Sequence, residues 1–334
     1  MMDCFKTKNE RITICGGDFI DAVKTWEQPT VIISDGPYGI GGFPGDPNTP
    51  EKLGEIYKPY IIQWTRKSTP NTTLWFWNTE LGWANVHHVL IENGWDFVNC
   101  HSWNKGLGHI AGNANTKTLR KFPVVSEVCV QYVKRATFNV GESILSMQEW
   151  LRYEWLRTGL PLYKTNEACG VVNAASRKYF TNCHLWYYPP SDAFEKITEY
   201  ANLYGDEKGK PYFSIDGKKP LSKLQWENMR AKFKCEFGIT NVWDSPPLNG
   251  AERLKNGNKA IHLNQKPLKF MELVINASSD ENDVIWEPFG GLCSASVASY
   301  KLNRRCFASE INNEVYNLAV RRIKDFEMQP TLNL

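Results

Sequence analysis

Apolar runs of strand length alternate with helix-like segments at both ends of this chain, and the alternation stops between them. In the first third, "RITICGGD" leads into the helical "FIDAVKTWE", "EIYKPYIIQWTRKS" into the strand "TTLWFWN", and "ELGWANVHHVLIENG" into "WDFVNCHSWN", with "VVSEVCVQYV" as a further strand. In the last third the helix "PLKFMELVINAS" precedes the strand "DVIWEPF", the helix "SASVASYKL", the strand "RCFASEI" and the helix "NNEVYNLAVRRIKDF". Strands and helices that alternate through short joins predict a doubly wound α/β domain, its parallel sheet covered on both faces. From 139 to 240 the pattern becomes helix and loop, with Pro189-Pro190, the stretch "GDEKGKPYFSIDGKKP" and scattered tryptophans. The sequence therefore reads as one α/β domain in two parts, 1–138 and 241–334, split by a mostly helical insertion over 139–240.

Composition sets the outer limits. A 334-residue chain with 13% aromatic and 22% charged residues can bury a sizeable core and is no disordered tail. No apolar run approaches the roughly 20 residues of a membrane span, and the opening "MMDCFKTKNER" lacks the apolar stretch of a secretion signal. Nine cysteines is an odd number and none forms Cys-x-x-Cys. This argues against a disulfide framework or a thiolate zinc site, and for free thiols in a reducing cytoplasm. A net charge of +3 permits a nucleic-acid partner without requiring one.

The stretch "TVIISDGPYGIGG", Thr30 to Gly42, carries the first chemical signal. Val31, Ile32 and Ile33 do not alternate with polar residues, as expected of a buried strand in a parallel sheet. Pro37 ends it, so Asp35 stands at the carboxyl edge of the sheet, where open α/β folds place their ligands. A plain turn would explain Asp, Gly and Pro, but not the aromatic Tyr38 after them. A second signal is "DVIWEPFGGLCSASVA", a strand, a glycine-bearing turn and a helix, which lets a ligand approach the backbone. Glu310 ends a strand about 20 residues further on, a position from which an acid accepts hydrogen bonds from ribose hydroxyls. No arginine stands ready for a second phosphate there.

With "HLNQKPLKFMELVI" at His262–Ile275 added, these segments resemble the β class of DNA amino-methyltransferases, in its permuted order. That family has a strand ending in Asp-Pro-Pro-Tyr, a target-recognition region, a His-Pro-Thr-Gln-Lys-Pro helix start, an Asp-Pro-Phe-x-Gly-x-Gly turn and an acidic strand end. Here Asp35-Gly36-Pro37-Tyr38, residues 262–267, Glu287-Pro288-Phe289-Gly290-Gly291 and Glu310 follow in the same order. Three residues depart from the pattern: Gly36 for the first proline, Glu287 for the aspartate, and Cys293 for the second glycine. The first is expected to be mild, and proline at 36 tolerated, because only that residue's carbonyl meets the substrate.

The resemblance implies a Rossmann-like, S-adenosylmethionine-dependent fold with an inserted target-recognition domain. It implies methyl transfer to the exocyclic amine of a flipped base in double-stranded DNA. Asp35 favours adenine N6, since cytosine-specific relatives more often carry Ser there. Cytosine N4, an RNA base and a non-catalytic DNA-binding relative are the alternatives. Asp35 and the Gly36 carbonyl would take the two amine hydrogens, Pro37 would stiffen the loop and Tyr38 would stack on the extruded base. Asn264, Gln265 and Lys266 would lie near the methionine carboxylate, with Pro267 opening the helix behind them. Phe289, Gly290 and Gly291 would line the cofactor, Asp18 would lie near its adenine, and Glu310 would bind its ribose. No metal is needed. The family's setting is prokaryotic restriction–modification, in the cytoplasm and at the nucleoid through DNA. It leaves room for a cognate restriction endonuclease and for a monomer or homodimer.

Two segments are candidates for the DNA. The loop from Asn104 to Phe122 has four basic residues, Lys105, Lys117, Arg120 and Lys121, three glycines and no acid. In the insertion, "LPLYKTNEACGVVNAASRKYFT" has the spacing of a helix-turn-helix whose second helix would present Asn173, Ser176, Arg177 and Lys178. An ordinary helical hairpin fits the same spacing. His87 and His88, on an amphipathic helix, are read as structural.

Overall fold

The computed structural model describes residues 2–41, 45–109, 117–181, 183, 185–206, 209–248, 252–256, 259–260 and 265–328. The chain forms two compact units: Met1–Lys134 with Ala231–Leu334, and Arg135–Arg230.

The first unit is a nine-stranded sheet. Its strands, in chain order, are β1 (Asp3–Lys6), β2 (Ile12–Gly16), β3 (Val31–Ser34), β4 (Thr73–Asn78), β5 (Trp95–Asn104), β6 (Ser126–Lys134), β7 (Val242–Asp244), β8 (Val284–Glu287) and β9 (Arg305–Glu310). Their order across the sheet is β1-β2-β9-β8-β3-β4-β6-β5-β7. β2, β9, β8, β3 and β4 are mutually parallel, while β6 runs antiparallel to both β4 and β5. Every residue of β3, β4 and β8 is buried, which is why these runs show no alternation. One face packs under helices α8 (Leu268–Ser278), α9 (Ser294–Lys301) and α10 (Asn313–Met328), through Phe270, Val274, Val297 and Tyr316. The other packs under α1 (Phe19–Ala22), α2 (Leu53–Lys67) and α3 (Glu80–Glu92), through Phe19, Tyr57, Trp64 and Leu90. No described helix is long and apolar enough to cross a membrane.

One expectation about the cysteines fails. Cys4 and Cys15 are direct cross-strand partners on β1 and β2, their Cα atoms 4.1 Å apart, and a disulfide joins them. The antiparallel register brings the two sulfurs together, and cysteine spacing alone could not reveal it. The other seven cysteines are free.

The second unit opens with a hairpin, Thr137–Val140 with Ser143–Ser146, and continues through α4 (Met147–Arg157), α5 (Lys164–Cys169), α6 (Ser191–Tyr204) and α7 (Lys223–Glu227). Stacked aromatic pairs fill its core, Phe194 on Trp226 at 3.9 Å and Phe138 on Trp150 at 4.2 Å. Residues 231–240 belong with the sheet rather than with this unit. Lys232 pairs with Asp280 at 2.8 Å and Asp283 at 2.7 Å, and the Lys234 amide donates to the Ala277 carbonyl.

Candidate active site

The loop that leaves β3 is held from several sides. The Tyr57 hydroxyl and Asn78 Nδ2 both donate to the Pro37 carbonyl, at 3.0 and 2.9 Å. Asp46 accepts from the amides of Tyr38, Gly39 and Ile40, closing the loop around its carboxylate. Asp35 is thereby fixed at the carboxyl edge of the sheet, in a cavity of about 240 Å³ that also reaches Asp18, Phe289, Gly290 and Glu310. Tyr38 donates its hydroxyl to Asp35 Oδ1 at 2.9 Å. Neither Asp35 Oδ2 nor the Gly36 carbonyl accepts a hydrogen bond from the described residues.

Four charges alternate beside that loop. Lys266 Nζ lies 2.8 Å from Asp35 Oδ1 and 3.5 Å from Glu127 Oε2, and Lys105 pairs with Glu127 Oε1. The Lys266 ammonium also sits over the Tyr38 ring, 5.0 Å from its centre. Side-chain exposure runs from 2% for Lys266 and 12% for Glu127 to 22% for Asp35, so Asp35 is the member most open to a ligand. Burial works against the Lys266 ammonium, but Asp35 and Glu127 outweigh it and hold its pKa above the ordinary lysine value. Burial likewise would raise Glu127, yet Lys266 and then Lys105 bring it below the usual carboxylate value. Tyr38 is pushed well above the ordinary phenol by burial and by Asp35.

The other end of the cavity is built by β8, β9 and the turn between β8 and α9. Gly290 packs so closely that a Cβ would meet Cys293 Sγ and the Ser309 carbonyl at 3.0 Å. Glu310 accepts from the Gly291 amide at 2.8 Å and from the Asn312 amide at 2.7 Å. Asp18 caps α1 through the Ile20 amide and accepts from the Tyr60 hydroxyl. Glu287 is buried under the start of α9, accepting from the Ala295 and Ser296 amides and the Ser296 hydroxyl. Burial pushes it up to about 7 against those donors.

A family model described as DNA methylase matches residues 30–321, which include Asp35, Phe289, Gly290 and Glu310 of this cavity. The chain belongs to the DNA methylase family. Among its relatives, the type II methyltransferase M.HindIII of Haemophilus influenzae is 37% identical over 71 residues, 21% of this chain and 23% of that protein. The DNA adenine methyltransferase YhdJ of Escherichia coli is 30% identical over 83 residues, 25% of this chain and 27% of that one. These matches span about a quarter of each relative's length. The solved structure of an M1.HpyAVI–SAM complex shares the fold, with a TM-score of 0.52 at 15% identity, over 93% of this chain and 98% of that one.

Two of the departures from the family pattern stand in demanding local surroundings. A Cβ at Gly36 would lie 2.5 Å from Phe289 Cδ2 and 2.7 Å from the Tyr57 oxygen. Proline at 36 would therefore require the Phe289 ring or the Tyr57 hydroxyl to shift, a packing demand that the use of the residue's carbonyl alone does not include. Cys293, where the family has glycine, adopts the left-handed conformation (φ 54°, ψ 50°) that glycine supplies without strain.

Several expected placements also change. Lys266, placed near a methionine carboxylate by the resemblance, pairs through its ammonium with Asp35 and Glu127. Lys105, expected on a DNA-facing loop, is partly buried and paired with Glu127, because it follows β5 directly and β6 brings Glu127 alongside. Lys117, Arg120 and Lys121 are exposed. Asn264 lies outside the described residues, while Gln265 binds the Glu252 carbonyl and the Leu254 amide. In the insertion, α5 ends at Gly170 in the left-handed region (φ 67°), and the following turn, Ser176–Phe180, is of π type. Ser176 is tied to Asn166 through its amide and its hydroxyl, and Lys178 lies over the Tyr187 ring, so the hairpin binds these two within itself. Asn173 and Arg177 remain exposed. His87 meets the Tyr132 hydroxyl in a structural contact. Glu127 and Asp46 had no motif to announce them; an acid opening the otherwise apolar run "VCVQYV" was the one available signal for Glu127.

Proposed function

We propose that this protein transfers a methyl group from S-adenosylmethionine to the exocyclic N6 amine of an adenine extruded from duplex DNA. The observation that carries the reading is that Asp35 Oδ2 and the Gly36 carbonyl, on two residues lining the cavity that Glu310 and Asp18 also line, accept no hydrogen bond from the described residues. The residues present fit the cofactor: acidic acceptors suit ribose hydroxyls and an adenine amine, and the rings of Phe289 and Tyr60 offer apolar cover. S-adenosylmethionine supplies an electrophilic methyl on a sulfonium.

The chain's own residues prepare the nucleophile. An exocyclic amine is weakly nucleophilic because its lone pair is delocalised into the base. Asp35 Oδ2 and the Gly36 carbonyl accept its two hydrogens, drawing the nitrogen toward a tetrahedral shape and aiming its lone pair. Tyr57, Asn78 and Asp46 fix the loop, so this geometry exists before the base arrives. Tyr38 offers its ring to the base and steadies Asp35 through its hydroxyl. Lys117, Arg120, Lys121, Asn173 and Arg177 are the proposed DNA contacts. The relatives named type II methyltransferases support a restriction–modification setting, in which a cognate endonuclease is part of the proposal.

The test is to incubate the protein with labelled S-adenosylmethionine and mixed genomic DNA, digest to nucleosides and identify the labelled one. N6-methyladenine is expected. Label confined to N4-methylcytosine would replace the base, and label in RNA alone would remove DNA from the reading.

A further inference from the structure

We propose that Glu127 is a positioning residue for methyl transfer: through Lys266 it fixes Asp35, and it keeps the site neutral while the target amine becomes cationic. The inference rests on reading Asp35 as the group that receives the amine.

Asp35 Oδ1 is used twice, by Lys266 at 2.8 Å and by the Tyr38 hydroxyl at 2.9 Å. Two donors on one oxygen fix the carboxylate plane and leave Oδ2 for the amine. That service places an ammonium beside the reacting nitrogen. In the transfer, the nitrogen lone pair forms the new N–C bond, and the C–S bonding pair stays on sulfur. The amine thereby gains a positive charge and then sheds one proton to Asp35. A cation forming near Lys266 is repelled unless another charge offsets it, and burial makes the repulsion felt. Glu127 is that charge: with Asp35 it balances Lys266 and Lys105, two carboxylates against two ammoniums. Without it the group would carry one positive charge in excess.

Sheet structure does not ask for this acid. Glu127 is the second residue of β6, opposite Trp103 on β5, and leads into a buried interior of Val128, Cys129, Val130, Gln131 and Tyr132; it is the only charged residue of the strand up to Val133. A carboxylate there costs desolvation that an apolar residue would avoid. Its oxygens are spent on Lys105 and Lys266, with the Tyr38 hydroxyl 3.5 Å away. Every one of its partners leads to the catalytic loop or to another charge beside it.

The test compares the wild-type protein, Glu127→Gln, and Glu127→Gln combined with Lys105→Met, on duplex DNA carrying the site found by sequencing methylated product. Direct contacts of this kind are worth on the order of 10²–10³ in rate, so a residue acting through another is expected to lower kcat about ten- to a hundredfold. Cofactor Kd should stay within about twofold, which also reports that the variant is folded. The double variant restores neutrality and should recover much of the lost rate. Glu127→Gln turning over at the wild-type rate overturns the proposal. So does a double variant as slow as the single one, since a structural defect would not be repaired by removing a second charge. A readout without DNA separates this from the functional reading. In protein labelled with ¹⁵N-lysine, the Lys266 ammonium signal, assigned by its loss in Lys266→Met, should be protected in the wild type and exchange-broadened in Glu127→Gln. An unchanged signal means that Glu127 does not hold Lys266. A wild-type protein that methylates no DNA refutes the proposed function, and the ammonium signal still decides the positioning role.

Discussion

One methyl group added at Gly36 should damage both stability and cofactor binding. Its carbon would lie 2.5 and 2.7 Å from two atoms of the Phe289 ring and 2.7 Å from the Tyr57 oxygen. Carbon atoms settle at about 3.5–4.0 Å, so the ring would have to retreat by about 1 Å. It has little room. Phe289 is edge-packed against Tyr57, Tyr60 and Trp64, with centroid distances of 5.6, 5.0 and 6.4 Å. Tyr57 cannot move freely either, since its hydroxyl holds the Pro37 carbonyl at 3.0 Å. Overpacking of this kind costs about 1–3 kcal/mol. Urea unfolding of Gly36→Ala should therefore show a lower midpoint at unchanged slope, and cofactor titration a weaker Kd, because Phe289 lines the cavity. Gly36→Pro should be at least as damaging. Phe289→Leu combined with Gly36→Ala should recover part of the loss, with a coupling energy above about 0.5 kcal/mol. An unaltered Gly36→Ala protein, or a strictly additive double variant, would refute the steric account of this departure from the family motif.

Replacing the proposed catalytic carboxylate by Asp35→Asn should lower methyl transfer by about 10²–10³ while leaving cofactor affinity intact; transfer at the wild-type rate would sink the mechanism. Asparagine is the better test than alanine, because alanine would strip Lys266 of its 2.8 Å partner and unsettle the fold as well. Glu287 should impose a pH dependence on stability. Its folded pKa is raised from an ordinary 4.5 to about 7, so the folded state keeps the proton longer than the unfolded one. The group's favourable contribution is then full below about pH 4.5 and lost as pH rises through 7, a change of about 3 kcal/mol. The difference in unfolding free energy between wild type and Glu287→Gln should shift in that sense between pH 5.5 and 8, and a constant difference would exclude it. Arg120→Ala with Lys121→Ala should weaken binding to all DNA sequences and flatten the salt dependence by about 0.9 per lost phosphate contact. An unchanged slope would take that loop out of the interface.

What could be read from the sequence was whatever a single segment determines. β3, β4 and β8 are recognisable because burial on both faces leaves continuous apolar runs, and the turn after β3 announces itself through Pro37. β1 could not be read: "DCFK" is a mostly exposed edge strand without an apolar pattern, and the Cys4–Cys15 bridge depends on its register. The charge cluster escaped for the same reason. Lys105 and Glu127 become neighbours only because β5 and β6 pair antiparallel, and Lys266 reaches them from a segment far along the chain. The motif residues Asp35, Phe289 and Glu310 line one cavity, while the partners of Asp35 were decided by tertiary contacts that spacing does not encode. The hairpin at α5 shows the converse, since its spacing was legible but the Asn166–Ser176 pair that ties it together was not.

The strand that leads into the Asp35 loop bears on how the protein is made. β3 is flanked by β4 on one side and by β8 on the other, with Val31 paired to Ile285. A ribosome that has finished β3 and β4 must therefore build nearly the whole remaining chain before β3 gains its second neighbour. Until then β3 offers an unpaired, largely apolar edge, the kind that recruits other chains. The second unit has no such delay, for its core comes from the contiguous residues 135–230 and can close while the sheet is still half made. Synthesis thus passes through a long interval with a finished insertion and an open sheet, when a nascent chain depends most on being shielded from its neighbours. Chains halted before β8 should accumulate as aggregates rather than as partly active enzyme.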